Sequence, residues 1–396
     1  MKVLDGLTRI TRADQDGDAE LARLIRGRKL GLLAHPASVD AEVSHAEQVL
    51  PRSGALLSAI FGPEHGYSGQ AQYMVGVAST GGAVPVYSLY GDSFEDLSPT
   101  PAQLAGLDAV VVDLQDVGSR YYTFVWSMAL MLRACAQAGV SCIVLDRPNP
   151  LGGELMEGAP QRPGYRSFVG LYDVPVRHGL TIGEIARMVQ DEEQLPVESL
   201  VVVPMKGYQR GLDFRATGLP WVLPSPNMPT PETALVYPGG CLLEGTNLSE
   251  GRGTTRPFEI WGAPFVDGGA LARALSDDAV LAGARLRPLS FEPTFHKFTG
   301  QSCGGVQVHV QDAARFRPYA LYLRAIAAVA QRCRTDFGFR SEPYEYVSDR
   351  PAIDLLTGGP EFRSLVDSSS ALDDYLHAQE APLRDFAERR RKWLLY

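Results

Sequence analysis

Five short apolar runs constrain the first half of the chain: residues 29–34 (KLGLLA), 56–61 (LLSAIF), 84–89, 109–114 (AVVVDL) and 141–145 (SCIVL). Each is too short for a stable helix, and most lack the polar alternation of a half-exposed strand. They read as strands, the first of them buried. The intervening segments have helical character. Leu21, Leu24 and Ile25 share one helical face, residues 43–50 can form a helix, and residues 122–138 form an apolar one. Strands alternating with helices predict a doubly wound parallel sheet. A helix over 181–192 and a strand over 199–203 continue the pattern. Residues 218–264 are dense in Gly, Pro, Thr and Asn, with weak periodicity, and read as irregular. A second unit follows, with a helix near 270–275, strands near 287–291 and 306–310, a helix over 318–332 and a charged closing helix over 383–395. The expected division is residues 1–265 and residues 266–396, an α/β fold with a smaller α/β C-terminal domain.

Four of the strands stop in clusters of Gly, Pro and polar groups: His35-Pro36, Gly62 to Gly66, Gln115 to Gly118 and Asp146 to Asn149. Ligands of open α/β sheets bind outside the carboxyl ends of the strands. In a parallel sheet all four clusters fall on that edge, which predicts a site there.

Composition narrows the function. Net charge of −9 across 396 residues leaves no global basic field, which argues against non-specific nucleic-acid binding and attraction to anionic membranes. Apolar residues at 45% and charged residues at 21% suit a packed core rather than a disordered chain. Five cysteines without a CxxC read as buried thiols, not as a disulfide framework or zinc site. The N-terminus has no apolar leader core, and the longest charge-free apolar run, residues 121–132, is too short to span a bilayer. A soluble cytoplasmic chain is expected. GxxxxGK[ST], HExxH and GxSxG are all absent, and the first strand runs into His35-Pro36-Ala37-Ser38 instead of a dinucleotide fingerprint. No cofactor and no metal are expected.

What remains is carboxylates beside Gly-rich turns. Glu64 follows Pro63 at a strand end, with His65 next to it, and partial burial there would make it a general-acid candidate. Asp116 lies in the next strand-end loop, followed by Arg120, Tyr121 and Tyr122. Residues 241–259 (CLLEGTNLSEGRGTTRPFE) carry Glu244, Glu250 and Glu259 with Asn247, Arg252 and Arg256 among small residues. Arg forks bind carboxylate or phosphate in a bidentate way, and paired carboxylates are the equipment of glycosidases.

Six blocks in this order carry a resemblance: IFGPEHGYSGQAQ, PVYSLYG, DLQDVGSRYYTFV, VLDRPNPLGG, LPWVLPSPNMPT and YPGGCLLEGTNLSEGRGTTRPFEIWGAP. The chain resembles the exo-acting β-N-acetylmuramidase family from about Lys29 onward. That resemblance implies a Rossmann-like N-terminal domain and an α/β C-terminal domain with the active-site cleft between them. It implies release of terminal N-acetylmuramic acid (MurNAc) from the non-reducing end of peptidoglycan fragments, with MurNAc-containing saccharides or muropeptides as partners. Glu64 falls on the Glu of the family's GPEHG motif, thought to be catalytic. The expected mechanism has Glu64 donating a proton to the leaving oxygen. Glu250, or alternatively Glu244, serves as base or nucleophile, and a route through the 2-acetamido group is also open. Arg252, Arg256 or Arg120 would hold the lactyl carboxylate. His65, Asp116, Tyr122, Asn227, Glu244 and Asn247 complete the expected substrate contacts. The alternative function is a non-catalytic muropeptide-binding or sensing protein.

Overall fold

A computed structural model describes residues 2–69, 84–276 and 278–396. Six strands form the main sheet: β1 (Lys29–Ala34), β2 (Leu56–Gly62), β3 (Val86–Ser88), β4 (Ala109–Asp113), β5 (Ser141–Leu145) and β6 (Leu200–Val203). All pairings are parallel, in the order β3-β2-β1-β4-β5-β6. This is the doubly wound, Rossmann-like order, and it reverses between β1 and β4. The two connections leaving that point run in opposite directions and open a crevice at the carboxyl edge. β1, β4 and β5 are buried almost throughout, as their unbroken apolar runs require.

The helix Phe124–Ala138 packs over the sheet and ends at Gly139 in the left-handed conformation, φ 67°, where a side chain would be strained. The helix Ile182–Glu192 starts at Thr181, whose side chain and that of Glu184 satisfy each other's backbone N–H groups.

The second sheet is antiparallel and has three strands: β7 (Ile260–Ala263), β8 (Ala284–Phe291) and β9 (Cys303–Val310), ordered β7-β9-β8. The helices Gly268–Ala274 and Pro318–Arg332 pack with it into one continuous core. β7 precedes residue 265, so the smaller sheet draws a strand from before the expected division.

One expectation needs correction. Residues 218–264 are not irregular throughout, because Pro231–Gly240 is a helix. Thr230 caps it, and Pro231 occupies its first turn, where no N–H is needed. Pro238, Gly239 and Gly240 mask the helix in the sequence. They serve packing instead: a Cβ on Gly239 would lie 2.2 Å from the Pro318 carbonyl oxygen. Only glycine lets this helix meet the start of Pro318–Arg332 so closely. The closing helix is shorter than expected, Glu380–Arg390, with a single tight turn over Arg391–Trp393. The chain then returns to the main sheet, where the Tyr396 hydroxyl donates to Asp146 at 2.7 Å.

All five cysteines are free thiols, and four of them are buried. Among the described residues there is no cluster of three or more potential metal ligands. Nor is any helix there long and apolar enough to cross a membrane.

Candidate active site

The carboxyl edge of the main sheet forms one wall of a pocket, and the C-terminal unit forms the other. Counted with the open space at its mouth, the pocket spans about 600 Å³ between the two walls.

Glu64 enters from the end of β2. The turn is closed by Gly66 N–H donating to the Pro63 carbonyl at 2.9 Å. His65 sits at φ 69° and Gly66 at φ 77°, so two successive left-handed residues reverse the chain right after Glu64. A non-glycine residue in that region carries strain that the surroundings must hold. The Glu64 carboxylate accepts a hydrogen bond from the Thr123 hydroxyl at 2.6 Å. Thr123 begins the helix that follows β4, so the two strands flanking β1 meet at this contact. Part of the block that carries Glu64, residues 70–72, lies outside the described residues.

The β4 loop supplies Tyr121, Tyr122, Thr123 and Phe124 to the pocket. Its other polar residues work underneath. Asp116 accepts from Gly118 N–H at 2.7 Å and lies 3.3 Å from His178 Nε2. A Cβ on Gly118, at φ 78°, would come 2.2 Å from Asn149 Oδ1. Arg120 is fully buried and donates to the carbonyls of Ala159, Val174 and Leu356. Its guanidinium joins two loops and the helix Ala352–Thr357 and does not line the pocket.

The remaining strand-end clusters also turn out to be scaffold. His35 accepts from Gln115 N–H at 2.9 Å through Nε2, and Nδ1 faces the Pro224 carbonyl at 3.0 Å. With Nε2 accepting, Nδ1 carries the proton and donates it. Burial pushes its pKa down to about 3, so the ring is neutral and ties β1, the β4 loop and the segment at Pro224 together. Arg147 forks onto Asp113 at 2.6 and 2.8 Å.

On the opposite wall, Glu244 and Arg252 face the pocket. Arg252 donates to Glu244 at 2.6 Å, and the Tyr344 hydroxyl donates to the second Glu244 oxygen at 2.8 Å. Arg252 also lies over the Phe258 ring at 5.2 Å, a favourable place for a cation. Behind it is Glu250, wholly buried, with Arg252 Nε at 3.1 Å, His296 at 3.0 Å and Lys297 at 3.1 Å. Burial alone would raise the Glu250 carboxyl, but Lys297, His296 and Arg252 outweigh it and hold it well below the usual carboxylate range. Arg252 is lowered by burial and raised more by Glu244 and Glu250, with a net upward shift.

The pocket thus gathers Glu64, His65, Tyr122, Asn227, Glu244 and Arg252. Five other candidates lie off it. Asp116 and Arg120 brace the β4 loop. Glu250 stands behind Arg252. Asn247 bonds to Asp336 and Gly338 on a separate groove. Arg256 is half-exposed and faces Glu259 at 3.7 Å.

Sequence reasoning missed Tyr344 and Glu345, which also line the pocket. Glu345 is 6% exposed, and the Tyr90 hydroxyl reaches its carboxylate at 3.4 Å. Burial, reinforced by the nearby Glu64 and Glu244, raises the Glu345 carboxyl well above its ordinary range. Its segment, SEPYEYVSDRP, has no periodicity. The available signal is one acid between two tyrosines in an otherwise polar loop.

Similarity to known proteins extends over the whole chain. The family model described as "Exo-beta-N-acetylmuramidase NamZ, N-terminal" matches residues 30–232, and its C-terminal counterpart matches residues 235–396. The peptidoglycan β-N-acetylmuramidase NamZ of Bacillus subtilis (strain 168) is 41% identical over 378 residues, 94% of this chain and 88% of that protein. Two crystal structures of DUF1343 family proteins from Bacteroides fragilis NCTC 9343 share the fold. One has a TM-score of 0.83 at 31% identity and the other 0.76 at 26%. Both alignments cover 100% of this chain and 99% of the other.

Proposed function

The chain belongs to the exo-β-N-acetylmuramidase family, and from that premise we propose that it is a glycoside hydrolase releasing terminal MurNAc from the non-reducing end of peptidoglycan fragments. The observation that carries this reading is one pocket holding carboxyl groups on both walls, Glu64 on one side and Glu244 with Glu345 on the other, together with Arg252. Glycosidic cleavage needs two carboxyl groups flanking the anomeric carbon, one to protonate the departing oxygen and one to meet the positive charge left behind. Glu64 is one of this pair.

MurNAc differs from N-acetylglucosamine (GlcNAc) by a lactyl ether bearing a carboxylate. Arg252 is the Arg or Lys side chain that lines the pocket among the described residues. Lys297 also pairs with Glu250, so Arg252 is not neutralised by Glu250 alone, and an anionic substrate group would meet its guanidinium beside Glu244. Glu250 acts through Arg252, fixing the guanidinium from behind. Tyr122, Tyr237 and Phe258 offer apolar faces to a sugar ring. Recycling of peptidoglycan fragments fits such an activity.

The test is release of an aryl aglycone from MurNAc and GlcNAc glycosides. The MurNAc glycoside is turned over, and kcat/KM for the GlcNAc glycoside is about 10- to 100-fold lower, the value of one charge-assisted pair. Binding of MurNAc without turnover would favour the muropeptide-binding alternative.

A further inference from the structure

Glu345 stands on an improbable backbone. Tyr344 and Val347 exchange both backbone hydrogen bonds, at 2.9 and 3.0 Å, closing a turn with Glu345 and Tyr346 at its centre. Their φ angles are 45° and 67°. Two left-handed central residues are the mark of a type I′ turn, where Asn and Gly are favoured and other L-residues are strained. A Glu-Tyr pair here sacrifices stability for something that Asn-Gly would not supply.

The turn is held from outside. The Tyr346 hydroxyl donates to the Gly91 carbonyl at 3.0 Å, and its ring packs edge-on against Tyr90 at 5.9 Å. These contacts fasten a loop of the C-terminal unit to the loop after β3. They leave Glu345 buried in the pocket wall with Tyr90 beside its carboxyl group. No Arg or Lys is paired with it among the ion pairs of the described residues, in contrast to Glu244 and Glu250.

Resting on the glycosidase reading above, we infer that Glu345 is the proton donor of the hydrolysis and Glu64 the carboxylate that meets the charge at C1. This moves the donor role expected for Glu64 across the pocket. The two carboxyl groups have different surroundings. Glu345 is desolvated beside Glu64 and Glu244, and the pull of Arg252 does not offset them, which favours its neutral form. The Glu64 carboxylate accepts a hydrogen bond from the Thr123 hydroxyl. As the C1–O bond breaks, its electron pair goes to the leaving oxygen and the Glu345 proton follows, giving a free alcohol. Glu64 balances the positive charge at C1. Water then adds to C1 and returns one proton to the pair, so the two carboxyl groups again share a single proton.

The experiment compares the Glu345→Gln protein with wild type on a natural MurNAc-GlcNAc disaccharide and on an activated aryl MurNAc glycoside. Loss of a general acid costs about 10²–10⁴-fold on the poor leaving group. The aryl substrate needs little protonation, so its rate falls at least about tenfold less. The ratio of the two rates is independent of how much protein is folded. The basic limb of the wild-type kcat/KM profile also disappears in the variant. Equal loss on both substrates, or near-normal turnover of the disaccharide, overturns the assignment. As a second readout, Glu345→Asn suits the left-handed turn and leaves the melting temperature unchanged or higher. A clear drop would instead mark Glu345 as a structural residue. If the wild type releases no MurNAc from either substrate, the glycosidase reading fails and this assignment with it. If it does, the variant results bear on Glu345 alone.

Discussion

Arg252 and Arg256 lie four positions apart in the sequence and face different surroundings. Arg252 is held by Glu244 and Glu250 and reaches the pocket. Arg256 stands half-exposed beside Glu259. Only the first can read a lactyl carboxylate, although sequence reasoning treated the two alike. Arg252→Gln is expected to lower MurNAc turnover about 10- to 100-fold more than GlcNAc turnover. It also destabilises the fold, because Glu244 would lose its charged partner. Breaking a buried pair costs about 3–5 kcal/mol, so the sugar ratio is the quantity to measure. Arg256→Ala leaves that ratio unchanged, since an exposed pair is worth about 1 kcal/mol or less. Equal effects of Arg252→Gln on both sugars would make Arg252 a loop anchor rather than a reader of the substrate.

At the scale of elements, the strand ends divide into two classes. Those after β2 and β4 deliver side chains to the pocket, while those after β1 and β5 bind the elements to each other. His35 is the clearest case of the second class, joining three segments through two ring hydrogen bonds. Its folded pKa is about 3 against an ordinary 6.5. Between those values the unfolded chain holds the extra proton, so stability present above pH 6.5 is lost as the pH falls. The slope approaches about 1.4 kcal/mol per pH unit. Asp146 and Glu157, both raised by burial to about 7, act in the opposite sense, favouring the folded state as the pH falls. The difference between wild type and His35→Gln therefore carries the prediction. From pH 7 to pH 5 the wild type loses about 2 kcal/mol more than the variant, read from urea midpoints. Parallel midpoints for the two proteins would show that His35 titrates normally.

Strand placement was legible because the buried strands β1, β4 and β5 leave continuous apolar runs, and all six lie within a few residues of their expected places; β3 is partly exposed throughout, not buried. The helix Pro231–Gly240 was not, because Pro238 and two glycines obey a packing contact with Pro318 that local propensity does not register. Within the site, Glu64, Glu244 and Arg252 stood out as charges beside glycine turns. Glu345 did not, because its place depends on a turn fixed by Tyr90 and Gly91, about 255 residues earlier.

The whole molecule explains why the pocket needs both units. The reversal of strand order between β1 and β4 opens a crevice at the sheet edge. That edge alone offers Glu64 without a facing carboxyl group. The C-terminal unit closes it with Glu244, Arg252 and Glu345, and Tyr396 returns to Asp146 beneath β5. A single core spans β2, β4 and the C-terminal helices, so the two walls are packed on one another.

The most direct test of the central claim follows the products from a peptidoglycan glycan chain carrying MurNAc at its non-reducing end and a label at its reducing end. Wild type is expected to release free MurNAc and leave a labelled chain one sugar shorter, ending in GlcNAc. Glu64→Gln, which preserves shape and removes the carboxylate charge, is expected to slow that release by at least about 10²-fold while retaining the wild-type melting curve. Internal cleavage by the wild type, or undiminished release by Glu64→Gln, would contradict the account.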